Sequence, residues 1–482
     1  MKICLLLIAA GLLICQTVQG GKTFSFEGYR LYRADPFTKE AAAVLRSLHD
    51  AYPSEPEPGL GLTFFNYPSH RNVKVDILVP PRLVSAFRKA VAGRPDIQLE
   101  LLHRNYGRVA AQADRENRQF PRLMKRLRRA VRRSDQLILN HNQYLRYDQL
   151  LEAVNTLAQQ CNLLRSNTCR QQEIGSAYEG RKLIVLRIEK SQTDKQKRKV
   201  WIDGGIHARE WISPATVLYM ADVLISKGLN RRMWTPEVVA LLDYYDFLML
   251  PLYNPDGYEY SHSHYRFWRK NRQTNGGHPS QSRVCRGVDL NRNYGYKWGG
   301  SGSSSDPCQD NYRGTGPFSA MESAAVKRFV EQENSDKKIL LFLSYHSYGQ
   351  YVLMPFGFKR GAYPRPALSA GKMSCVAFFG SREMFATNHR FYIHGTSADV
   401  LYEASGGSDD WAHGSLEVPY SLTVELPDDG AYGFLLPPAY IRNVGSEAVR
   451  GLLAMLRTIH DLETNTNFYR TRCLAHTAAS DY

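Results

Sequence analysis

Beyond residue 134 the chain alternates short, almost wholly apolar runs with helical stretches, and few folds accept that pattern. The runs are "KLIVLRIEK" (Lys182–Lys190), "KVWIDGG" (Lys199–Gly205), "DFLMLPLYNPDG" (Asp246–Gly257), "ILLFLSYHSYG" (Ile339–Gly349) and "YSLTVELPDDG" (Tyr420–Gly430). Apolar side chains on successive positions suit strands covered on both faces. Between and around them, "DQLLEAVNTLAQQC", "TVLYMADVLIS" and "SEAVRGLLAMLRTIHDLE" have helical spacing. The expected architecture is an α/β domain over about residues 134–465, with a tail over 466–482.

Upstream the pattern changes. Residues 24–33 alternate as a strand, and Thr38–Tyr52 is helical in spacing and composition. Leu62–Tyr67 and Val73–Val79 read as strands, Arg82–Gly93 as a helix ending on glycine, and Ile97–Leu102 as a last strand. The order βαββαβ is the ferredoxin-like arrangement. It contains no titratable cluster, so residues 21–110 read as a packing module. Residues 1–20, "MKICLLLIAAGLLICQTVQG", have the form of a signal peptide. No other run reaches about 18 apolar residues, so a secreted chain without a membrane span is expected.

The net charge of +16 is unevenly spread: residues 21–133 hold 22 Lys and Arg against 11 Asp and Glu. It is densest in "RQFPRLMKRLRRAVRRSD" (Arg118–Asp135). A polyanion-binding arm is one reading of such a block. A processing linker over 111–133 is the favoured one, because exposed arginines between two domains invite cleavage. Arg126–Arg129 ("RLRR") suits a furin-like protease and Arg133 a trypsin-like serine protease. No nucleic acid partner is expected. Beyond the signal peptide the cysteines are Cys161, Cys169, Cys285, Cys308, Cys375 and Cys473. An even number in an oxidising compartment favours disulfides, and no C-x-x-C spacing argues for a thiolate metal site. Cys161 and Cys169 are close enough in sequence to pair across a short loop.

Two of the apolar runs end on histidine. His207 and Glu210 follow "VWIDGG", where a strand gives way to a helix, and His346 closes "ILLFLSYH". Ligands of α/β sheets gather at the carboxyl ends of strands. An imidazole and a carboxylate spaced as in H-x-x-E can converge on one ion within about 2.0–2.2 Å. A polar turn would explain His207 and Glu210 alone, but a second strand-end histidine supplies the third ligand that a catalytic zinc usually has.

With "GGIHAREWISP", "VDLNRNY", "SYHSYGQ", "LYEASGGSDDW" and "SLTVELPDDGAYGFLLP" in order, the chain resembles the secreted zinc carboxypeptidases of the pancreatic A/B type. The resemblance implies a central mixed sheet of eight strands and an N-terminal inhibitory prosegment. It implies one zinc per chain, held by His207, Glu210 and His346, with Asp289 orienting the first histidine. Glu425 corresponds to the general base that activates a zinc-bound water, and Arg269 to the cation facing the scissile carbonyl. Asn291 and Arg292 correspond to the clamp on the terminal carboxylate, Tyr402 to a tyrosine closing over the terminal residue, and Arg209 to a cleft residue. Arg266 is placed in a neighbouring subsite. Cys285–Cys308 matches the family's loop bridge, which leaves Cys375–Cys473 by elimination.

Specificity is implied at Asp409. B-type members carry aspartate there and take C-terminal Lys or Arg, whereas A-type members carry an aliphatic residue and take apolar ends. Ser397 leaves room for a long cationic side chain, and Asp410 is expected to point away. The implied partners are peptide or protein C-termini, the chain's own prosegment and an activating protease. Pro427 departs from the family pattern just after Glu425. A metabolite deacylase would not need the prosegment or the "NR" clamp, and an inactive binding module would have lost Glu425 or a ligand.

Overall fold

The computed structural model of the chain describes residues 24–54, 61–71, 73–118, 139, 141–190, 197–275 and 285–474. The residues read as a signal peptide, most of the stretch expected as a linker with Arg126–Arg129 and Arg133, and the last residues of the expected tail lie outside them. The N-terminal unit comprises β1 (Arg30–Pro36), α1 (Lys39–Ala51), β2 (Thr63–Phe64), β3 (Val75–Val79), α2 (Val84–Val91), β4 (Ile97–His103) and α3 (Tyr106–Arg118). Its four-stranded sheet has the order β2-β3-β1-β4. The βαββαβ order holds, with corrections. The first strand starts later than residue 24, because Phe24 and Phe26 turn outward to pack on Tyr265 and Phe267. The strand expected over Leu62–Tyr67 is only two residues long. Helix α3 was not foreseen and runs past residue 110.

The larger domain follows with α4 (Tyr147–Leu164), β5 (Cys169–Ser176), β6 (Lys182–Ile188), β7 (Arg198–Gly204), α5 (Ile212–Gly228), α6 (Pro236–Tyr244), β8 (Tyr245–Leu250) and α7 (Pro255–Ser263). Next come α8 (Met321–Glu333), β9 (Ile339–Ser347), β10 (Tyr351–Met354), α9 (Ala367–Asn388), β11 (Ile393–Thr396), α10 (Ser397–Val400), α11 (Ser408–Gly414), β12 (Tyr420–Leu426) and α12 (Ile441–Thr464). The sheet has eight strands in the order β11-β10-β12-β9-β7-β8-β6-β5. Its centre, β12-β9-β7-β8, is parallel. The flanks are antiparallel where β10 meets β12, β8 meets β6 and β6 meets β5.

The apolar runs explain this layout. Every residue of β9 is buried, as in a strand covered on both faces. One face packs on α4, α5, α9 and α12, and the other on α8 and α11. Because the central strands run parallel, their carboxyl ends open on the same edge, which is where a site can be assembled. The bridges are Cys161–Cys169, Cys285–Cys308 and Cys375–Cys473, as the sequence suggested.

One scaffold carboxylate gives a pH-dependent expectation. Glu322 is fully buried in the first turn of α8 and accepts a hydrogen bond from Asn271 Nδ2 at 2.8 Å. Burial pushes its carboxyl from an ordinary 4.5 up to about 7. The folded protein therefore keeps a proton that the unfolded chain releases above about pH 4.5, and stability is lost as pH rises from there through about 7. Glu322→Gln removes that loss. The variant should gain roughly 2–3 kcal/mol relative to the parent on going from pH 4.5 to pH 8. Urea midpoints at both pH values check this, and equal differences at the two would refute it.

Candidate active site

The loop between β7 and α5 carries His207 and Glu210. It leaves the sheet at Gly205, whose φ of +73 favours glycine; a Cβ there would also approach Pro214 to 2.8 Å. Ser213 Oγ accepts a hydrogen bond from Gly205 N at 3.0 Å, pinning the turn onto the start of α5. His346 is the penultimate residue of β9, and Glu425 is its register partner on the parallel strand β12.

The donor atoms converge. His207 Nδ1 lies 2.8 Å from Glu210 Oε1, and His346 Nδ1 lies 3.2 Å from Glu210 Oε2. The two Nδ1 atoms are 3.2 Å apart, and one donor atom from each residue lies within 4.8 Å of the others. Ser347 N donates to Glu210 Oε2 at 3.2 Å, which fixes the carboxylate between the rings. The far nitrogen of His207, Nε2, meets Asp289 Oδ1 at 3.1 Å. Asp289 accepts a hydrogen bond from Nε2–H, which keeps the ring proton on Nε2 and leaves the Nδ1 lone pair facing Glu210 and the second imidazole.

The electrostatics agree with a cation site. Burial opposes the charge on Glu210, yet His207 and His346 hold its carboxyl well below the usual range. Burial and Arg269 lower His207, favouring the neutral ligand form. Burial also works to lower His346, but Glu210 carries it up to about 9. An imidazole pulled towards charge by a buried carboxylate marks a place where positive charge is stabilised. Two nitrogens and one carboxylate are also a donor set suited to zinc.

Asp289 holds more than His207. Its Oδ2 accepts from Arg269 Nε at 3.0 Å and Nη2 at 2.9 Å, and its Oδ1 accepts from Asn291 N at 3.0 Å. One buried carboxylate thus fixes a histidine, a guanidinium and the turn bearing Asn291 and Arg292. Burial opposes its charge, but Arg269 and His207 keep it well below the ordinary carboxylate range. Glu425 has the opposite balance. Burial pushes its carboxyl up to about 8, and its Oε2 is buried without a hydrogen-bond partner.

Arg292 is anchored through Gly302 O at 2.9 Å and Asn291 O at 2.7 Å, with its guanidinium 6.0 Å from the Tyr402 ring. Asn291 Oδ1 accepts from Ser408 N at 2.9 Å, which ties this turn to α11. Asp409 and Asp410 diverge on that helix. Asp409 Oδ2 faces Ser397 Oγ at 3.3 Å, while Asp410 accepts from Gly357 N at 2.8 Å and Phe358 N at 2.9 Å.

Arg209 and Arg266 occupy the seam with the N-terminal unit. Arg209 Nη2 donates to Phe65 O at 3.2 Å, and Nη1 pairs with Asp310 Oδ2 at 3.2 Å. Arg266 stacks on Trp211, with its guanidinium carbon 3.5 Å from the ring centre, and Nη1 donates to Arg209 O at 2.8 Å. Across the same seam Tyr348 Oη donates to Asp76 Oδ2 at 2.7 Å, and Arg33 reaches Asp429 O at 3.0 Å. Phe65, Leu78 and Tyr106 close an apolar cluster with Phe267 and Phe434. Sequence reasoning did not find Asp310, Tyr348 or Asp76. Tyr348, two residues after His346, was the one with a positional clue.

A buried His-Glu-His set at the ends of parallel strands defines the class as an α/β metallohydrolase. The zinc carboxypeptidase family profile matches residues 154–451. Metallocarboxypeptidase A of Trichophyton rubrum is 30% identical over 455 residues, spanning 94% of this chain and 98% of that protein. The crystal structure of thrombin activatable fibrinolysis inhibitor superposes with a TM-score of 0.74 at 29% identity, over 90% of this chain and all of that one. Carboxypeptidase A from Helicoverpa armigera gives a TM-score of 0.74 at 25% identity, covering 90% of this chain and 98% of its own. The chain belongs to the zinc carboxypeptidase family, and its cofactor is zinc.

Proposed function

We propose that the chain is a secreted proenzyme that, once cut in its basic linker, removes lysine or arginine from peptide C-termini. The preference rests on Asp409. It is buried beside Ser397, and among the described residues no cation pairs with it. A buried carboxylate with only a hydroxyl for company gains most from a ligand that brings a positive charge.

The other roles follow from placement. His207, Glu210 and His346 would hold the zinc, which would supply Lewis acidity toward the scissile carbonyl and the attacking water. Glu425 accepts the proton of the attacking water and returns it to the leaving amine; its unpartnered Oε2 leaves an acceptor available. Arg269, held by Asp289, faces the charge that develops on the carbonyl oxygen. Arg292 and Asn291 take the terminal carboxylate, and Tyr402 closes over the last residue. The proenzyme reading is supported by Arg209, whose guanidinium is already engaged by Phe65 O of the N-terminal unit.

Asp409→Ile tests the preference. In the trypsin-trimmed protein, kcat/KM for a substrate ending in Arg should fall by roughly 10²–10³, while that for a matched substrate ending in Phe rises. An unaltered Arg-to-Phe ratio, or a parent enzyme that already prefers Phe, would leave an A-type enzyme instead.

A further inference from the structure

A groove of about 1020 Å³ lies outside the metal site, at the amino-terminal end of α9. Tyr296, Phe356, Phe358 and Tyr363 line it, and Lys297 and Arg365 are exposed at its edge. No carboxylate lines it. Lys297 Nζ sits 5.6 Å from the ring centres of both Tyr296 and Phe358, and neither Lys297 nor Arg365 forms an ion pair among the described residues.

The groove's place in the fold gives it a relation to the cleft. Its wall includes Phe356 and Phe358, and the peptide between them is hung on Asp410 through Gly357 N and Phe358 N. On the other side, a Cβ at Gly357 would touch Ser397 Cβ at 3.3 Å, and Ser397 also faces Asp409. One short segment therefore has Asp409 and Ser397 on one side and the aromatic groove on the other.

We infer that this groove docks an acidic segment of a protein partner that carries an aromatic side chain. Tyr363 is exposed and offers a ring face, beside a wall in which Tyr296 and Phe356 are already stacked at 5.4 Å, and aromatic anchors dominate small docking sites. The carboxylate beside the wall, Asp399, is already held by Tyr363 Oη at 2.9 Å and Arg360 at 3.8 Å, so the unpaired Lys297 and Arg365 set the sign of the charge the segment must bring. A partner held here would lie beside the pocket that takes C-terminal residues, without entering it. The docking is separate from the catalytic reading, since it does not depend on which terminal residue is removed.

The test uses the full chain and a fluorescent peptide, acetyl-Asp-Glu-Tyr-Asp-Pro-amide, whose amide end denies it a terminal carboxylate. Anisotropy should show saturable binding that weakens with salt. Binding should drop at least about tenfold in a Lys297→Glu, Arg365→Glu double variant that still turns over a small substrate after trimming. Tyr363→Ala, which removes the exposed ring and frees the Asp399 carboxylate it holds, should weaken it. Equal binding of a peptide with lysine in place of its acids would overturn the inference, as would unchanged affinity in the double variant. Sedimentation showing a dimer that Tyr363→Ala dissolves would make a second copy the occupant, and would overturn it too.

Discussion

His346→Ala should leave a folded protein that no longer retains zinc and has lost turnover by several orders of magnitude. The ligand set has one residue on β9 and two on the loop after β7, so this substitution removes the only contribution from the second strand. What remains is His207 and Glu210, three residues apart on one turn, held by Asp289 and Ser347 N. Two ligands from a single turn do not enclose an ion, and affinity should fall to where dialysis against a chelator empties the protein. The rest of β9 is packed by residues the change does not touch, so near-ultraviolet circular dichroism should be preserved. Metal analysis after gel filtration decides the matter. Stoichiometric zinc with full turnover in this variant would remove His346 from the ligand set.

The strands that carry the site were legible because they are continuous apolar runs, and burial on both faces leaves no other use for such a segment. The edges were not. Strand β5, "CRQQEIGS", is half polar because it borders the sheet, and β10 is only four residues long. Helix α9, "ALSAGKMSCVAFFGSREMFATN", mixes small and apolar residues around its whole circumference and offers no stripe to read. Helix α3 lies where a linker was expected to begin; its few apolar residues, Val109, Ala110 and Ala113, pack on the cluster around Phe267.

At the site, residue types and strand ends pointed to His207, Glu210 and His346, while the family resemblance supplied the rest. Neither indicated that Asp289 would hold Arg269 as well as His207, because that depends on a loop returning to the sheet from twenty residues away. Nor could the sequence indicate that Arg209 would meet the carbonyl of Phe65. A backbone oxygen leaves no mark on residue identity, and the two positions are 144 residues apart.

Glu425→Gln separates the chemistry from the metal. Glutamine keeps the shape and an acceptor oxygen but cannot take up a proton, so kcat should fall by about 10²–10⁴. Zinc should stay at one per chain, because Glu425 lies outside the His207–Glu210–His346 cluster even though it is the register neighbour of His346. Stability should not suffer. Burial already pushes the Glu425 carboxyl up to about 8, so a neutral amide replaces a group whose charged form the surroundings resist. The loss should fall on kcat more than on KM if the proton is moved only in the transition state, since the contacts proposed to bind substrate, Arg292 and Asp409, are untouched. Loss of zinc would recast Glu425 as a ligand. Retention of zinc together with parental turnover would mean that another group takes the proton, and the pairing of β12 with β9 would then serve only to close the sheet.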